Sequence, residues 1–205
     1  MGSLVVSTAT TVSEARWLRD AGVDAIIAQG LEAGGHRGHF LSEDLSLQQG
    51  LFTLLPQVID VAGDTPVIAA GGISDARTVA AALQLGAAAV QPGSAWLRCP
   101  EATTSAVHRS ALALAATDPS NAATALTNLF SGRPARGLVN QLMRELGPIS
   151  DAPPVFARAA LPLAPLRAHA ESQGNGAFSP LWCGQLPPPN DAPAAEVMAR
   201  LLSNL

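Results

Sequence analysis

The sequence predicts an α/β fold built around a parallel sheet. Four short apolar runs have the near-continuous hydrophobicity of strands that are buried on both faces. These runs are LVVST from Leu4, AIIAQ from Ala25, PVIAA from Pro66 and AAAVQ from Ala87. Helical patterns separate the runs, and the resulting order βαβαβαβ indicates either a doubly wound sheet or a (β/α)8 barrel of the TIM type.

The helices between the runs carry recognisable start signals. Thr11 and Glu14 have the spacing of a capping box, which predicts a helix that begins just after Thr11. Before the third run, Pro56 fits a helix only if Thr53 is the N-cap, because the proline then lies in the first turn. After the third run, Ser74 is expected to cap the helix that leads to the fourth run.

Composition and charge exclude several classes of function. The 205 residues are 48% hydrophobic with a formal net charge of −4, so no attraction to nucleic acid or to an anionic membrane is expected. All twelve basic residues are arginines and tyrosine is absent, which excludes a Schiff-base lysine and the lysine of a P-loop. The sequence shows neither a signal peptide nor an apolar stretch of about 18 residues. With only two cysteines, Cys99 and Cys183, a reduced, cytoplasmic protein is expected.

Glycines follow the last runs at the edge of the sheet where the carboxyl ends of parallel strands meet. Gly71 and Gly72 follow the third run and Gly93 follows the fourth, and glycine lets a backbone approach a ligand closely. The next helix opens at Ser74 and Asp75, where free N–H groups can bind an anion. Neighbouring loops of this kind form a phosphate site in many barrels. The alternative is that these glycines only make tight turns and helix stops.

The segment IIAQGLEAGGHRGHF, from Ile26 to Phe40, joins the second run to a long loop. His36 stands between a glycine and Arg37, where an imidazole can donate or accept a proton near neutral pH. The alternative is a solvated loop histidine. A zinc site is not expected, because no third ligand stands at a convincing spacing from His36 and His39.

Several separated motifs carry a family resemblance. DAIIAQGLEAGGHRG, PVIAAGGISDARTVAAALQLGAAAVQPGSAWLRCPEA and FSGRPARGLVN resemble the nitronate monooxygenase family, formerly called 2-nitropropane dioxygenases. FSPLWCGQ is similar to the C-terminal motif of that family. The resemblance implies an FMN-dependent (β/α)8 barrel with a helical appendage after the last strand. It also implies oxidation of alkyl nitronates by molecular oxygen to a carbonyl compound and nitrite.

The resemblance further implies which residues form the site. His36 matches the active-site histidine, which is expected to hydrogen-bond the nitro group of the substrate or to act as a base toward a nitroalkane. Gln29 and Gly34 match positions that contact the flavin. The positions that hold the FMN phosphate and ribityl chain are matched by Gly71, Gly72, Gln91, Gly93 and Ser94.

The same resemblance predicts that only part of the barrel is present. The four runs match the second half of the family's barrel, so residues 1–100 are expected to form four βα units. Residues 101–150 are expected to be the helical appendage, and residues 151–205 the C-terminal helices that return to the barrel. Three interpretations follow: a fragment of a longer product, two copies that complete each other as a homodimer, or a degraded relative.

Two other functions agree with the motifs. FMN-dependent enoyl-acyl-carrier-protein reductases and certain NADH:quinone reductases are similar in AGGH and AAGGI, and these enzymes take electrons from NAD(P)H. The HRG continuation and SPLWCGQ favour the monooxygenase. The remaining alternative is a truncated, inactive flavin-binding half that needs a partner.

Overall fold

A computed structural model describes residues 2–189, 191–203 and 205. In chain order the strands are β1 (Val6–Ala9), β2 (Ala25–Gln29), β3 (Gly35–His36), β4 (Val67–Ala70), β5 (Ala89–Gln91), β6 (Thr124–Thr127) and β7 (Ala135–Leu138). The α-helices are α1 (Val12–Asp20), α2 (Leu51–Ala62), α3 (Ala76–Gln84), α4 (Ala106–Thr117), α5 (Gln141–Leu146), α6 (Ala160–Ser172) and α7 (Ala194–Leu201). Within the described residues, no helix combines the length and the apolar character needed to cross a membrane.

The chain divides into two compact units. The first, called the sheet unit, contains the described residues up to Ala33, those of Gly38–Gly93 and those from Met198 on. The second, called the hairpin unit, contains Gly34–Arg37 and the described residues of Ser94–Val197.

The sheet unit contains a four-stranded parallel sheet with the strand order β1-β2-β4-β5. This finding confirms the predicted alternation of strands and helices and the parallel pairing. Ile26, Ala28 and Ala69 are fully buried and alternate with the half-buried Ile27 and Ile68, as the two-residue period of a strand requires. Both α1 and α2 pack against the sheet and against each other. One face of the sheet is therefore part of the core, while the other is only partly covered.

The start of α2 differs from the prediction. Its N-cap is Gly50, which has no side chain to accept a hydrogen bond, and the Glu32 carboxylate accepts one from the Leu51 N–H instead (2.9 Å). Pro56 is consequently the sixth residue of the helix rather than a member of its first turn. The expectation that Thr53 caps this helix is wrong, because a carboxylate from a preceding loop provides the cap.

The start of α3 lies one residue later than predicted, whereas the start of α1 is confirmed. Asp75, rather than Ser74, is the N-cap of α3, and its carboxylate accepts a hydrogen bond from the Thr78 N–H (2.9 Å). The two residues form a capping box, since the Thr78 hydroxyl also accepts a hydrogen bond from the Asp75 N–H. At α1 the predicted capping box of Thr11 and Glu14 is present with both of its hydrogen bonds.

The hairpin unit contains an antiparallel sheet with the strand order β3-β7-β6. The hairpin of β6 and β7 lies in the segment 101–150 that was expected to be helical, so the helical parts of this segment are α4, α5 and a 3-10 turn at Pro119–Asn121. Each of its strands has only four residues, which is too short to show a clear two-residue period in the sequence. Among the described residues of this unit, one cluster of buried side chains lies around Leu112 and Leu181 and another around Phe130 and Met143.

The buried carboxylate of Glu14 holds the long loop of the sheet unit at Phe40 and Leu41. Glu14 is 1% exposed and accepts five hydrogen bonds. One oxygen accepts from the Thr10 N–H and hydroxyl and from the Thr11 N–H, and the other accepts from the N–H groups of Phe40 and Leu41. Burial alone would raise the pKa of Glu14, but these hydrogen bonds to the charged form outweigh burial and lower it. Glu14, which forms the capping box of α1 with the N-cap Thr11, is therefore also the anchor of the loop.

Replacement of this anchor is expected to destabilise the chain in a pH-dependent way. In Glu14→Gln an amide NH2 faces backbone N–H donors, so the free energy of unfolding at neutral pH should fall by about 2 kcal/mol. Because the pKa of Glu14 is lowered in the folded chain, its contribution is present above the unfolded value near 4.5 and is lost as the pH falls through the folded value. Urea denaturation at neutral and at acid pH measures both effects.

The matched control is Glu145→Gln, which removes the charge of an exposed glutamate on α5. Its effect on the free energy of unfolding is expected to stay within about 0.5 kcal/mol. Equal losses in the two variants, or a Glu14→Gln loss that does not shrink at acid pH, would contradict the anchoring role.

Candidate functional site

The carboxyl ends of three neighbouring strands form a row in the sheet unit. Gln29 pairs with Ala70, and Ala70 pairs with Gln91, so the last residues of β2, β4 and β5 lie side by side. Residues in one row of a parallel sheet point to the same face. Two amide side chains therefore flank a small alanine at the edge where parallel sheets carry their ligand sites.

Gly71 and Gly72 leave the end of β4 in conformations that favour glycine. Their φ angles are +105° and +68°, and a Cβ on Gly71 would lie 3.1 Å from the Cβ of Ala33 and 3.2 Å from the carbonyl oxygen of Gly30. Within the part of the chain that the structure describes, their backbone N–H groups have no hydrogen-bond acceptor. Gly93, which follows β5, is in open space, since a Cβ there would meet nothing within 4 Å. Gly93 thus presents unobstructed backbone at the end of β5, whereas Gly71, at the end of β4, packs closely on Gly30 and Ala33.

The start of α3 does not offer the N–H groups that the sequence suggested. The N–H groups of Ser74 and Asp75 donate to the Thr78 hydroxyl (3.0 and 3.1 Å), and the Thr78 N–H donates to the Asp75 carboxylate. The expectation of free N–H groups at Ser74 and Asp75 is therefore wrong. The Asp75 side chain also places a negative charge at this helix end, where an anion would be repelled.

Gln29 has a defined role in the long loop of the sheet unit. Its side-chain oxygen accepts a hydrogen bond from the Gly38 N–H (2.9 Å). Gly38 itself packs closely on Thr8, because a Cβ at this glycine would lie 2.6 Å from the Thr8 methyl carbon. The amide that was expected to contact flavin therefore also holds the loop against β1.

A cavity of about 330 Å³ lies in the same unit, beside the glycine turn. It touches Gly71 and Gly72, but most of its wall consists of apolar residues of α2 and α3, such as Leu55 and Ala82. Its two charged lining residues are already hydrogen-bonded, Glu32 to the Leu51 N–H and Arg77 to Asp75. Its lining includes neither Gln29 nor Gln91, so it is separate from the polar row.

His36 lies in the hairpin unit, on the short strand β3. Its Nε2 is 2.7 Å from the Ser131 hydroxyl, and its ring lies 5.6 Å from the Trp182 ring and 6.0 Å from the Phe156 ring. The side chain keeps contact with solvent. Partial burial and, second, the charge of Arg133 lower the pKa of His36 from its ordinary value of 6.5. The neutral imidazole is therefore the favoured form at neutral pH.

The segment Trp182–Gly184 contacts all three predicted site residues of the hairpin unit. The Trp182 ring packs on His36, and the Gly184 N–H donates to the Ser94 hydroxyl (2.8 Å). A Cβ on Gly34 would lie 2.6 Å from the carbonyl carbon of Cys183, so a glycine is required for the backbones to approach. This close approach is a structural reason for Gly34, separate from any contact with a cofactor.

Trp182 and Cys183 are themselves held in place. The Nε2 of His108 is 3.0 Å from the Trp182 carbonyl oxygen, and Trp182 also packs edge-on against Phe130. Burial lowers the pKa of His108, against the raising effect of its hydrogen bond to Trp182. Burial raises the pKa of the Cys183 thiol to about 11, so this cysteine is not a reactive thiolate. These features make the segment a rigid support rather than a reactive group.

The predicted site residues fall into two groups. The sheet unit contains Gln29, Gly71, Gly72, Gln91 and Gly93, and the hairpin unit contains Gly34, His36 and Ser94. Among the residues that the structure describes, no group of three or more His, Cys, Asp or Glu side chains could hold a metal ion.

A family model described as nitronate monooxygenase matches residues 1–203. The chain belongs to the nitronate monooxygenase family. A nitronate monooxygenase of Pseudomonas aeruginosa PAO1 is 42% identical over 212 residues, which cover 100% of this chain and 58% of that protein. A probable nitronate monooxygenase of Bacillus subtilis strain 168 is 42% identical over 184 residues, covering 90% and 52%. The chain spans little more than half the length of these relatives.

Solved structures show the same relation. The nitroalkane oxidase from Streptomyces ansochromogenes superimposes with a TM-score of 0.86 at 42% identity, covering 100% of this chain and 58% of that one. FabK from Thermotoga maritima gives a TM-score of 0.73 at 30% identity, covering 99% and 61%. The chain therefore has the α/β fold of part of a TIM barrel of the nitronate monooxygenase family.

Four residues of the candidate site were missed by reasoning from sequence. Ser131 and Arg133 lie in the family-like motif FSGRPARGLVN, but only the fold brings them to His36, because Ser131 lies 95 residues later in the chain. His108 is half-buried at the carbonyl of Trp182, and no local pattern marks that contact. Phe156 stands in a proline-interrupted segment with no clear period.

The close approach at Gly34 predicts a strong effect of one added methyl group. In Gly34→Ala the new Cβ would overlap the Cys183–Gly184 backbone, so the free energy of unfolding should fall by about 2 kcal/mol. The matched control is Gly2→Ala, where the added Cβ meets nothing within 4 Å. Urea denaturation followed by tryptophan fluorescence compares the two variants. If Gly34→Ala is as stable as the control, the close approach does not exist in solution.

Proposed function

We propose that this chain takes part in FMN-dependent oxidation of alkyl nitronates by molecular oxygen, which yields a carbonyl compound and nitrite. The observation that carries the proposal is the family match over residues 1–203. The 42% identity to the nitronate monooxygenase of Pseudomonas aeruginosa, across the full chain, supports it. This chain spans only 58% of that relative, so the activity is proposed for the whole protein of which this chain would form a part.

The strand ends of the sheet unit fit a phosphorylated cofactor. Gly71 and Gly72 present N–H groups that have no acceptor within the described chain, and an anion is the natural acceptor for such donors. Gln29, Gln91 and Gly93 complete this group on adjacent strands. Gly34 and Ser94, in the hairpin unit, are proposed to contact FMN from the family resemblance. When bound, FMN supplies the electron-accepting ring system that the oxidation requires.

His36 is proposed to be the catalytic residue. Its lowered pKa favours the neutral imidazole, which can donate a hydrogen bond from one ring nitrogen and accept a proton at the other. These two capacities are the ones needed to hold a nitro group or to remove a proton from a nitroalkane. Ser131 on Nε2 and Trp182 beside the ring restrict its orientation.

We further propose that the chain corresponds to the C-terminal half of the family's barrel, because FSPLWCGQ is similar to the family's C-terminal motif. The four-stranded parallel sheet is half of an eight-stranded barrel. Its partly covered face carries Thr8, Ile27 and Ile68, which are only half-buried. A closed barrel would bury them, and the remaining strands would come from the rest of a longer protein or from a second copy.

The function is tested on the purified 205-residue chain with added FMN. Flavin absorbance after gel filtration measures retention, and nitrite release with oxygen consumption measures turnover of propyl nitronate. His36→Asn should lower the rate by about 100-fold without loss of FMN. His169→Asn, an exposed histidine on α6, is the matched control and should leave the rate unchanged.

Each outcome separates the alternatives. Bleaching of the bound flavin by NADH, with no nitrite formed from nitronate, would support the NAD(P)H-using reductase instead. A chain that stays colourless after FMN is added would show that the half lacks stand-alone activity. The proposed activity would then require the missing part of the barrel.

A further inference from the structure

Two cation-forming side chains meet at one aromatic ring in the hairpin unit. The Cζ atom of Arg133 lies 5.9 Å from the centre of the Phe156 ring, and the centre of the His36 ring lies 6.0 Å from the same point. The first distance is within the range of a cation–π contact, and the His36 ring approaches Phe156 edge to face. Arg133 and His36 therefore share one side-chain environment.

The Ser131 hydroxyl links the His36 ring to the backbone of Arg133. Its hydroxyl is 2.7 Å from Nε2 of His36, accepts a hydrogen bond from the Arg133 N–H (3.3 Å) and lies 3.1 Å from the Arg133 carbonyl oxygen. One hydroxyl thus links the imidazole to the residue that carries the guanidinium. The link is rigid compared with a long flexible loop, because only one residue, Gly132, separates Ser131 from Arg133.

The positive charge beside His36 belongs to Arg133. The chain has no lysine, and a guanidinium stays protonated at all physiological pH values. The lowered pKa of His36 favours its neutral form, in part because of Arg133. A negative group that reaches His36 therefore meets a neutral imidazole and a permanent cation together.

We propose that Arg133 holds the negatively charged oxygen atoms of the substrate and selects the nitronate anion over the neutral nitroalkane. This inference rests on the proposed function. A nitronate carries two oxygens on one planar nitrogen, which matches the fork of a guanidinium as a carboxylate does. The rings of Phe156 and Trp182 provide an apolar wall for the carbon substituent. Arg133 is in this role a specificity-determining residue, and His36 remains the acid–base group.

The test uses nitrate, a planar oxyanion that is not oxidised, as the probe. The His36 ring resonances, assigned by their loss in His36→Asn, are followed by NMR as nitrate is added to the full chain. Arg133→Gln should weaken nitrate binding by about tenfold, because a charge-assisted hydrogen bond is lost. The affinity of Arg133→Lys for nitrate should lie between that of the original chain and that of Arg133→Gln. Neutral nitroethane, used at a pH where it stays protonated, should bind all these proteins alike.

The matched control is Arg144→Gln, which removes the same charge from an exposed position on α5. It should bind nitrate as the original chain does, and the pKa of His36 should rise in Arg133→Gln but not in this control. Equal nitrate binding by Arg133→Gln and Arg144→Gln, or no response of His36 to nitrate, would overturn the inference. If Arg133→Gln does not fold, as judged by circular dichroism, the comparison of Arg133→Lys with the control decides.

Failure of this inference is distinct from failure of the proposed function. Turnover of propyl nitronate that is the same in Arg133→Gln and in the original chain removes the role of Arg133 and leaves the function intact. Absence of turnover with FMN bound contradicts the function, while the nitrate titration still decides whether Arg133 holds an oxyanion.

Discussion

The common register of β2, β4 and β5 is the constraint on which the candidate site of the sheet unit depends. Because these parallel strands pair in register, Gln29, Ala70 and Gln91 end side by side and the following glycines leave the sheet at one edge. A slip of one residue would turn every side chain to the opposite face. The burial of Ile26 and Ala28 opposes such a slip, so the same apolar residues that form the core also determine where the polar row lies.

Two carboxylates organise the loops around this sheet, and both do so through backbone N–H groups rather than through cations. Glu14 accepts from the return of the long loop, and Glu32 accepts from the first residue of α2. The several donors of Glu14 favour its charged form although the residue is buried. The Glu32 carboxylate lies at the start of α2, where a helix favours a negative charge. These two glutamates therefore act as structural links, while the proposed chemistry rests on a histidine and an arginine.

Much of the sheet unit could be predicted from sequence, because its signals are local. Continuous apolar runs marked β2 and β4 almost to the residue, and the capping box at Thr11 marked α1. The cap of α2 could not be predicted, since Glu32 lies 19 residues before the group that it binds. The start of α3 was shifted by one residue because Ser74 and Asp75 are both good caps, and only the position of Thr78 decides between them.

The site in the hairpin unit was harder to predict from the sequence. The family-like motifs marked His36, but its partners Ser131 and Trp182 are far away in the chain, and their contacts depend on the pairing of β3 with β7. Local propensity says nothing about such contacts, because they join residues that lie about a hundred positions or more apart in the chain.

The pairing of β3 with β7 has a consequence for how related sequences are interpreted. Gly35 and His36 make only a two-residue strand, and its partner strand, Ala135–Leu138, comes about a hundred residues later. The surroundings of the motif AGGHRG are therefore provided by residues far along the chain and not by the motif itself. A gene product interrupted before residue 131 would retain the whole motif but would lose the strand β7, the Ser131 hydroxyl and the Trp182 indole, which contact or orient its histidine. The motif can therefore be present in a sequence without the contacts that orient its histidine, because the second half of the chain provides those contacts.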